Sequence, residues 1–118
     1  MKSGHDLIAE AKQRITEVTP HEVRTRKERG EAMVLLDVRE PNEWNLGRIP
    51  GAMHIPRGTM ETAIEARVPR EANVVIYCAS GNRSALAADT LQQMGYGKVA
   101  SMSGGFRDWV GTGGPVEG

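Results

Sequence analysis

The sequence predicts an α/β domain, a three-layer arrangement of about five mostly parallel strands with helices on both faces of the sheet. Three observations predict it. Met33-Val34-Leu35-Leu36-Asp37-Val38 and Asn73-Val74-Val75-Ile76-Tyr77-Cys78 are nearly continuous apolar runs, the pattern of strands covered on both sides. Segments with helical spacing alternate with these runs. The chain has 118 residues, 39% of them hydrophobic, which is enough to bury one core and hardly two.

The elements follow in order. Leu7, Ile8, Ala11 and Ile15 share one helical face, which predicts a helix over residues 5–14 packed on the outside of the domain. Thr16-Glu17-Val18-Thr19 is a short edge-strand candidate. Thr19 then serves as an N-cap, Pro20 as the first helical residue and Glu22 as the return partner of a capping box. That helix runs to Arg29, and Gly30 stops it. The strand at residues 33–38 leads to a short helix around Glu40 to Leu46. The segment Ala52-Met53-His54-Ile55-Pro56 and a helix near Met60 to Arg67 come next. After the strand at 73–78, a Gly/Ser turn opens a helix that ends at Met94-Gly95. Ala85, Ala87 and Ala88 keep this helix slim, so it can lie close to the sheet. Val99-Ala100-Ser101-Met102 is a last strand and Gly105 to Trp109 a last helical turn. Thr112-Gly113-Gly114-Pro115 has the composition of a frayed tail. The expected organisation is a helical extension at 1–15, the domain at 16–110 and a flexible tail at 111–118.

Composition excludes several functions. Lysine plus arginine number 15, as do aspartate plus glutamate. A formal net charge of zero argues against a nucleic-acid binder, and the absence of a polybasic run argues against a membrane patch. The N-terminal residues form neither a signal peptide nor a spanning helix, so the cytoplasm is the expected location. The one cysteine, Cys78, allows no internal disulfide, CxxC pair or cysteine-rich zinc site. No pair among His5, His21, His54 and Cys78 has metal-ligand spacing, and the histidines read as exposed or structural. No metal or cofactor is expected. Gly95-Tyr96-Gly97-Lys98-Val99-Ala100 matches a dinucleotide-binding pattern. It follows a helix and precedes a strand, the reverse of the required context, and so reads as a helix cap and turn.

The chemistry lies in Cys78-Ala79-Ser80-Gly81-Asn82-Arg83-Ser84. This segment joins the C-terminal end of a buried strand to the start of a helix, the edge where open α/β sheets bind ligands. The first amides of a helix have no internal partner. A turn containing glycine lets them converge into an anion-binding nest, and the helix dipole adds to the field. Arg83 contributes a full positive charge. A thiol placed there ionises below its ordinary value, and an anionic substrate is held by the same cradle.

The chain resembles the rhodanese family of sulfurtransferases over residues 16–110. Leu36-Asp37-Val38-Arg39-Glu40-Pro41-Asn42-Glu43-Trp44 is similar to the family's acidic-strand motif. Gly47-Arg48-Ile49-Pro50-Gly51-Ala52-Met53-His54-Ile55-Pro56 is similar to its G-H-I-P-G-A-x-x-I-P signature, with Arg48 in place of the usual histidine. Tyr77-Cys78 with its loop and Ser103-Gly104-Gly105-Phe106-Arg107-Asp108-Trp109 complete the likeness. The resemblance implies that Cys78 takes the outer sulfur of thiosulfate or a similar small anionic donor. A persulfide forms, sulfite leaves, and a thiophile such as cyanide, a thiol or a protein removes the sulfur. In this reading the amides of Ala79, Ser80, Gly81, Asn82, Arg83 and Ser84 stabilise the sulfur anion. Arg83 positions the sulfonate of the donor. Asn82 and Ser84 add polar contacts or cap the helix. Asp37 and Arg39 form a scaffold ion pair, Trp44 and Trp109 belong to the core, and the protein is a monomer or weak homodimer.

Two rivals stand beside this reading. Phosphatases on the same scaffold place five residues between cysteine and arginine, whereas four separate Cys78 from Arg83, and Ser84 stands where the wider loop would have its arginine. Docking modules of the family lack the cysteine, which is present here.

Overall fold

A computed structural model describes all of residues 1–118. The helices are α1 (Gly4–Arg14), α2 (Pro20–Glu28), α3 (Pro41–Asn45), α4 (Met60–Arg67), α5 (Asn82–Gln93) and α6 (Gly105–Gly111). The strands are β1 (Thr16–Val18), β2 (Val34–Asp37), β3 (Met53–His54), β4 (Val74–Tyr77) and β5 (Val99–Met102). They form one sheet in the order β1-β5-β4-β2-β3, and every pairing is parallel. The fifth strand is the short β3, which pairs Leu36 with Met53 and Asp37 with His54. A strand of two residues is too brief to show any alternation in sequence.

Alternation along the strands explains why both faces are apolar. Leu36, Val74, Ile76 and Cys78 face one way, against Met60 and Ile64 of α4 and Ala87, Ala88 and Leu91 of α5. Leu35, Val75, Tyr77, Ala100 and Met102 face the other, against Val23 of α2 and Trp109 of α6. The slim alanine face of α5 is fully buried, as the sequence predicts. Local signals are realised as hydrogen bonds. Thr19 Oγ1 accepts from the Glu22 amide at 3.1 Å, and the Glu22 carboxylate accepts from the Thr19 amide in return. Gly95, with φ +95, ends the turn after α5. The glycine pattern at 95–100 therefore closes a helix, as expected.

One expectation changes, and the tail has contacts that the sequence did not suggest. Residues 112–118 bond back onto the domain. Trp109 Nε1 donates to the Pro115 carbonyl at 2.8 Å, and Arg48 and Glu117 exchange backbone hydrogen bonds of 2.9 Å each. The buried indole needs an acceptor for its N–H, and the Gly/Pro composition that suggests fraying also lets the chain fold flat over the ring. Trp44 is half-buried and not a core residue. It stacks on His54 at 4.7 Å and carries the Arg48 guanidinium 4.6 Å from its ring centre.

At the C-terminal end of β2 lies a buried ion pair. Arg39 donates to Asp37 from Nε at 3.1 and 3.0 Å and from Nη2 at 2.8 Å. Nη2 also donates to the Gly47 carbonyl at 2.7 Å. The guanidinium lies 4.3 Å from the Phe106 ring centre, and His54 Nε2 meets the Arg39 carbonyl at 2.8 Å. The pair thus ties β2, β3, the turn after α3 and α6 together. Replacing Arg39 by alanine leaves a buried carboxylate unpaired, a change that costs about 3–5 kcal/mol. The expected outcome is a urea midpoint shifted down by that loss divided by the slope for Arg39→Ala, at unchanged slope; a loss below about 1 kcal/mol would show the pair to be dispensable.

Candidate active site

The site is built on a reversal of chain direction at Gly81. β4 delivers Cys78 to the sheet edge, and α5 begins at Asn82. Between them Gly81 adopts φ +103, a left-handed conformation that side chains disfavour. A Cβ on Gly81 would also approach the Gly104 amide nitrogen to 3.2 Å. The loop rests on the start of α6. The amides of Phe106 and Arg107 donate to the carbonyls of Cys78 and Ala79 at 2.8 and 3.1 Å. Gly105 has φ +56, and any side chain there would sit 2.5 Å from the Cys78 carbonyl oxygen. With these carbonyls drawn down onto α6, the Ala79 and Ser80 amides of the same peptide planes face away from α6, and the Gly81 and Ser84 amides follow in the turn.

The Cys78 sulfur lies at the focus of those amides. The Gly81 N–H reaches Sγ at 3.1 Å and the Ser84 N–H at 3.4 Å. Ser84 Oγ stands 3.5 Å from Sγ and is joined at 2.8 Å to the hydroxyl of Ser101 on β5. Both serines are fully buried. Burial, at 1% exposure, pushes the thiol up. Hydrogen bonds from the Ser84 hydroxyl and from the amides of Ser84, Gly81 and Ser80 outweigh it and hold the thiol below its ordinary value. The hydroxyl pair suits either state. With a thiol, S–H donates to Ser84 and Ser84 donates to Ser101. With a thiolate, the chain reverses and Ser101 donates through Ser84 to the sulfur.

The predicted residues fall around this centre in unequal roles. Ala79, Ser80 and Gly81 form the loop itself. Ser84 belongs to the sulfur and not to a helix cap, since Gly81 occupies the N-cap position with no side-chain cap bond. Asn82 is exposed and turns away to accept from Lys12 of α1 at 3.2 Å. Arg83 has a partner that the sequence did not suggest. Its guanidinium is held by both carboxylate oxygens of Glu43, at 2.7 and 3.0 Å. That partner was missed because 40 residues separate the two, although an acid beside an aromatic at the start of α3 was already visible as a motif. The Arg83 hydrogen bonds hold the Glu43 carboxyl down at about 2. Glu43 Oε1 also accepts the Glu40 amide at 2.8 Å, so the pair joins the start of α3 to the start of α5. Ser101 was missed too; its only signal was a hydroxyl in an otherwise apolar strand. Asp37 and Arg39 form no hydrogen bond with the loop. A separate cleft of about 290 Å³ lies among Thr16, Arg26, Glu31, Asn73 and Lys98 at the opposite end of the sheet and includes no loop residue.

Residues 19–112 match the family model described as the rhodanese-like domain. YrkF of Bacillus subtilis, named provisionally as a sulfur carrier protein, is 32% identical over 94% of this chain. The chain spans 60% of the length of that relative. A protein of Allochromatium vinosum named sulfurtransferase is 38% identical over 73% of this chain and 79% of its own. Among solved structures, a Rhodopseudomonas palustris protein of unknown function superposes with a TM-score of 0.91 at 36% identity. It covers 99% of this chain and 96% of its own, and it is described as a possible tyrosine phosphatase. No helix of the protein is long and apolar enough to cross a membrane.

Two outcomes test the electrostatics. The rate of Cys78 alkylation should rise with pH about a midpoint below that of a free thiol, and Ser84→Ala should move the midpoint up; a midpoint unchanged in the variant would deny the hydroxyl its role. The Glu43 carboxyl sits below its unfolded value, so its contribution to stability is present above the ordinary carboxylate range. It is lost as pH falls from about 4.5 toward about 2. In Glu43→Gln the fall in stability over that window should be shallower than in the parent, as read by thermal melts at each pH.

Proposed function

The chain belongs to the rhodanese-like family of sulfurtransferases and sulfur carriers, and we propose that it moves a sulfane sulfur from a small anionic donor to a thiophile through Cys78. One observation carries the reading: two backbone amides and a buried hydroxyl converge on the Cys78 sulfur at the start of a 12-residue helix. That arrangement favours a sulfur anion and needs no proton donor.

The steps balance with thiosulfate as donor. The Cys78 thiolate attacks the outer sulfur and forms a new S–S bond. The S–S bond of thiosulfate breaks, and sulfite leaves with the bonding pair. The enzyme now bears a Cys78 persulfide whose single negative charge replaces that of the thiolate. A thiophile such as cyanide then attacks the terminal sulfur, the persulfide S–S bond breaks, and the thiolate returns as thiocyanate departs. The two half-reactions share only the modified enzyme, which is ping-pong behaviour. Cys78 is the only cysteine of the chain, so no second thiol within it can take the sulfur. The acceptor lies outside these 118 residues, either a small thiol or a protein, as the name of the Bacillus relative suggests. A cytoplasmic setting supplies such thiols.

The description of the Rhodopseudomonas neighbour raises phosphoester hydrolysis as a second reading. The geometry favours it less. A phosphatase loop needs a guanidinium facing the tetrahedral anion, and Arg83 is committed to Glu43. Position 84, where a wider loop would place its arginine, is a serine buried against the sulfur.

Intact-mass measurement after incubation with thiosulfate should show one added sulfur atom, removed again by cyanide. Cys78→Ala should show no adduct. Para-nitrophenyl phosphate should not be turned over; its hydrolysis without sulfur uptake would reverse the assignment.

A further inference from the structure

We infer that α1, which lies outside the residues matched to the family, supplies Lys12 as the cation that draws an anionic donor to the Cys78 loop. The inference rests on the sulfur-transfer reading for its natural ligand, but its physical content is a positive charge held at the outer rim of the loop, on the side chain that follows Gly81.

α1 is capped at its start and docked near its end. Ser3 and Asp6 close a capping box at its start. Near its end, Arg14 grips Asp89 of α5 through two bonds of 3.0 and 2.8 Å. Between them Ala11 is fully buried, where its small side chain lets α1 lie close to α5. This fixes the register of the two helices, and one residue beyond Ala11 the Lys12 ammonium meets the Asn82 side chain at 3.2 Å. Asn82 is the first residue of α5 and directly follows Gly81, whose amide points at the sulfur.

Charge bookkeeping at the loop then selects Lys12. Arg83 is the loop's own cation, yet Glu43 neutralises it through a bidentate pair. Lys12 forms no ion pair with any carboxylate. Its one hydrogen bond goes to a neutral amide oxygen, which orients the ammonium without cancelling it. Arg83 still acts on the Cys78 sulfur through its charge, but of the two cationic side chains bonded at the start of α5 only Lys12 is not shared with a carboxylate. An ammonium is a compact point charge with three donors, suited to a freely rotating oxyanion such as the sulfonate end of a donor. Lys12 is a positioning residue in this account, because the sulfur chemistry remains with Cys78.

The test compares Lys12→Gln, Lys12→Arg and Lys2→Gln with the parent. Lys2 is on the same terminus but pairs with Glu10 at 2.9 Å. The first readout is the ratio of Cys78 alkylation rates with iodoacetate, an anion, and iodoacetamide, its neutral analogue. Lys12→Gln should lower that ratio about two- to fivefold, the size of one solvent-screened charge, while Lys12→Arg and Lys2→Gln leave it near the parent value. The second readout is thiosulfate turnover, in which Lys12→Gln should raise KM by a similar factor at unchanged kcat. A parent that takes up no sulfur would sink the functional reading, and the alkylation ratio would still decide the role of Lys12. An unchanged ratio in Lys12→Gln overturns the inference, and so does a loss in Lys12→Arg as large as that in Lys12→Gln.

Discussion

The loop can turn its amides toward the Cys78 sulfur because its carbonyls are held from the other side. The first amides of α6 take the Cys78 and Ala79 carbonyls, and that contact is possible only where Gly105 has no side chain. Gly81 then completes the turn in a backbone conformation open to glycine, packed against the Gly104 backbone. Two helix starts therefore serve one loop. α6 satisfies the loop's acceptors, and α5 presents unsatisfied donors. If α6 moved away, the Cys78 and Ala79 carbonyls would lose their partners and the peptide planes beside the sulfur would be free to turn. The glycine pair at 104–105 is thus as much a part of the chemistry as the cysteine, although neither glycine touches the sulfur.

The buried Asp37–Arg39 pair extends the same logic one layer out. A buried ion pair adds little net stability, since desolvation of two charges offsets their attraction. Its contribution is geometric. One guanidinium binds the carboxylate in bidentate fashion, accepts the packing of Phe106 and donates to Gly47. Phe106 is the residue whose amide holds the Cys78 carbonyl. The pair therefore fixes the face of α6 that supports the loop, and a scaffold role for Asp37 and Arg39 is compatible with their strong influence on the site. Nearby, the Tyr77 hydroxyl accepts the Ile49 amide at 3.2 Å, and burial keeps the phenol protonated well above its usual range.

What the sequence made legible divides along a physical line. Local signals were readable: two apolar runs, a proline-initiated capped helix, a cysteine followed by a glycine turn and a helix. Each depends on neighbours within a few residues. The contacts that sequence left hidden join residues far apart. Glu43 meets Arg83 across 40 residues, Ser84 meets Ser101 across 17, and Lys12 meets Asn82 across 70. Spacing shows which residues share a helix face, but not which element comes to lie beside it. The tail shows the same limit from another side. Gly113, Gly114 and Pro115 are loop formers by composition, and only the presence of the Trp109 indole gives that loop something to bond to.

The pairing of Glu43 with Arg83 changes how the charge of the site should be understood. The sequence suggested a cradle made positive by one arginine. With that arginine shared with Glu43, the groups that hold the thiol down are chiefly oriented amides and a hydroxyl, which stabilise an anion without adding a net charge. This matches the chemistry proposed for it. Thiolate and persulfide each carry one negative charge, so the resting and loaded enzymes make the same electrostatic demand. A full charge that assists the donor can then stand at the rim while the dipoles stand at the focus. α1 brings its lysine to the rim.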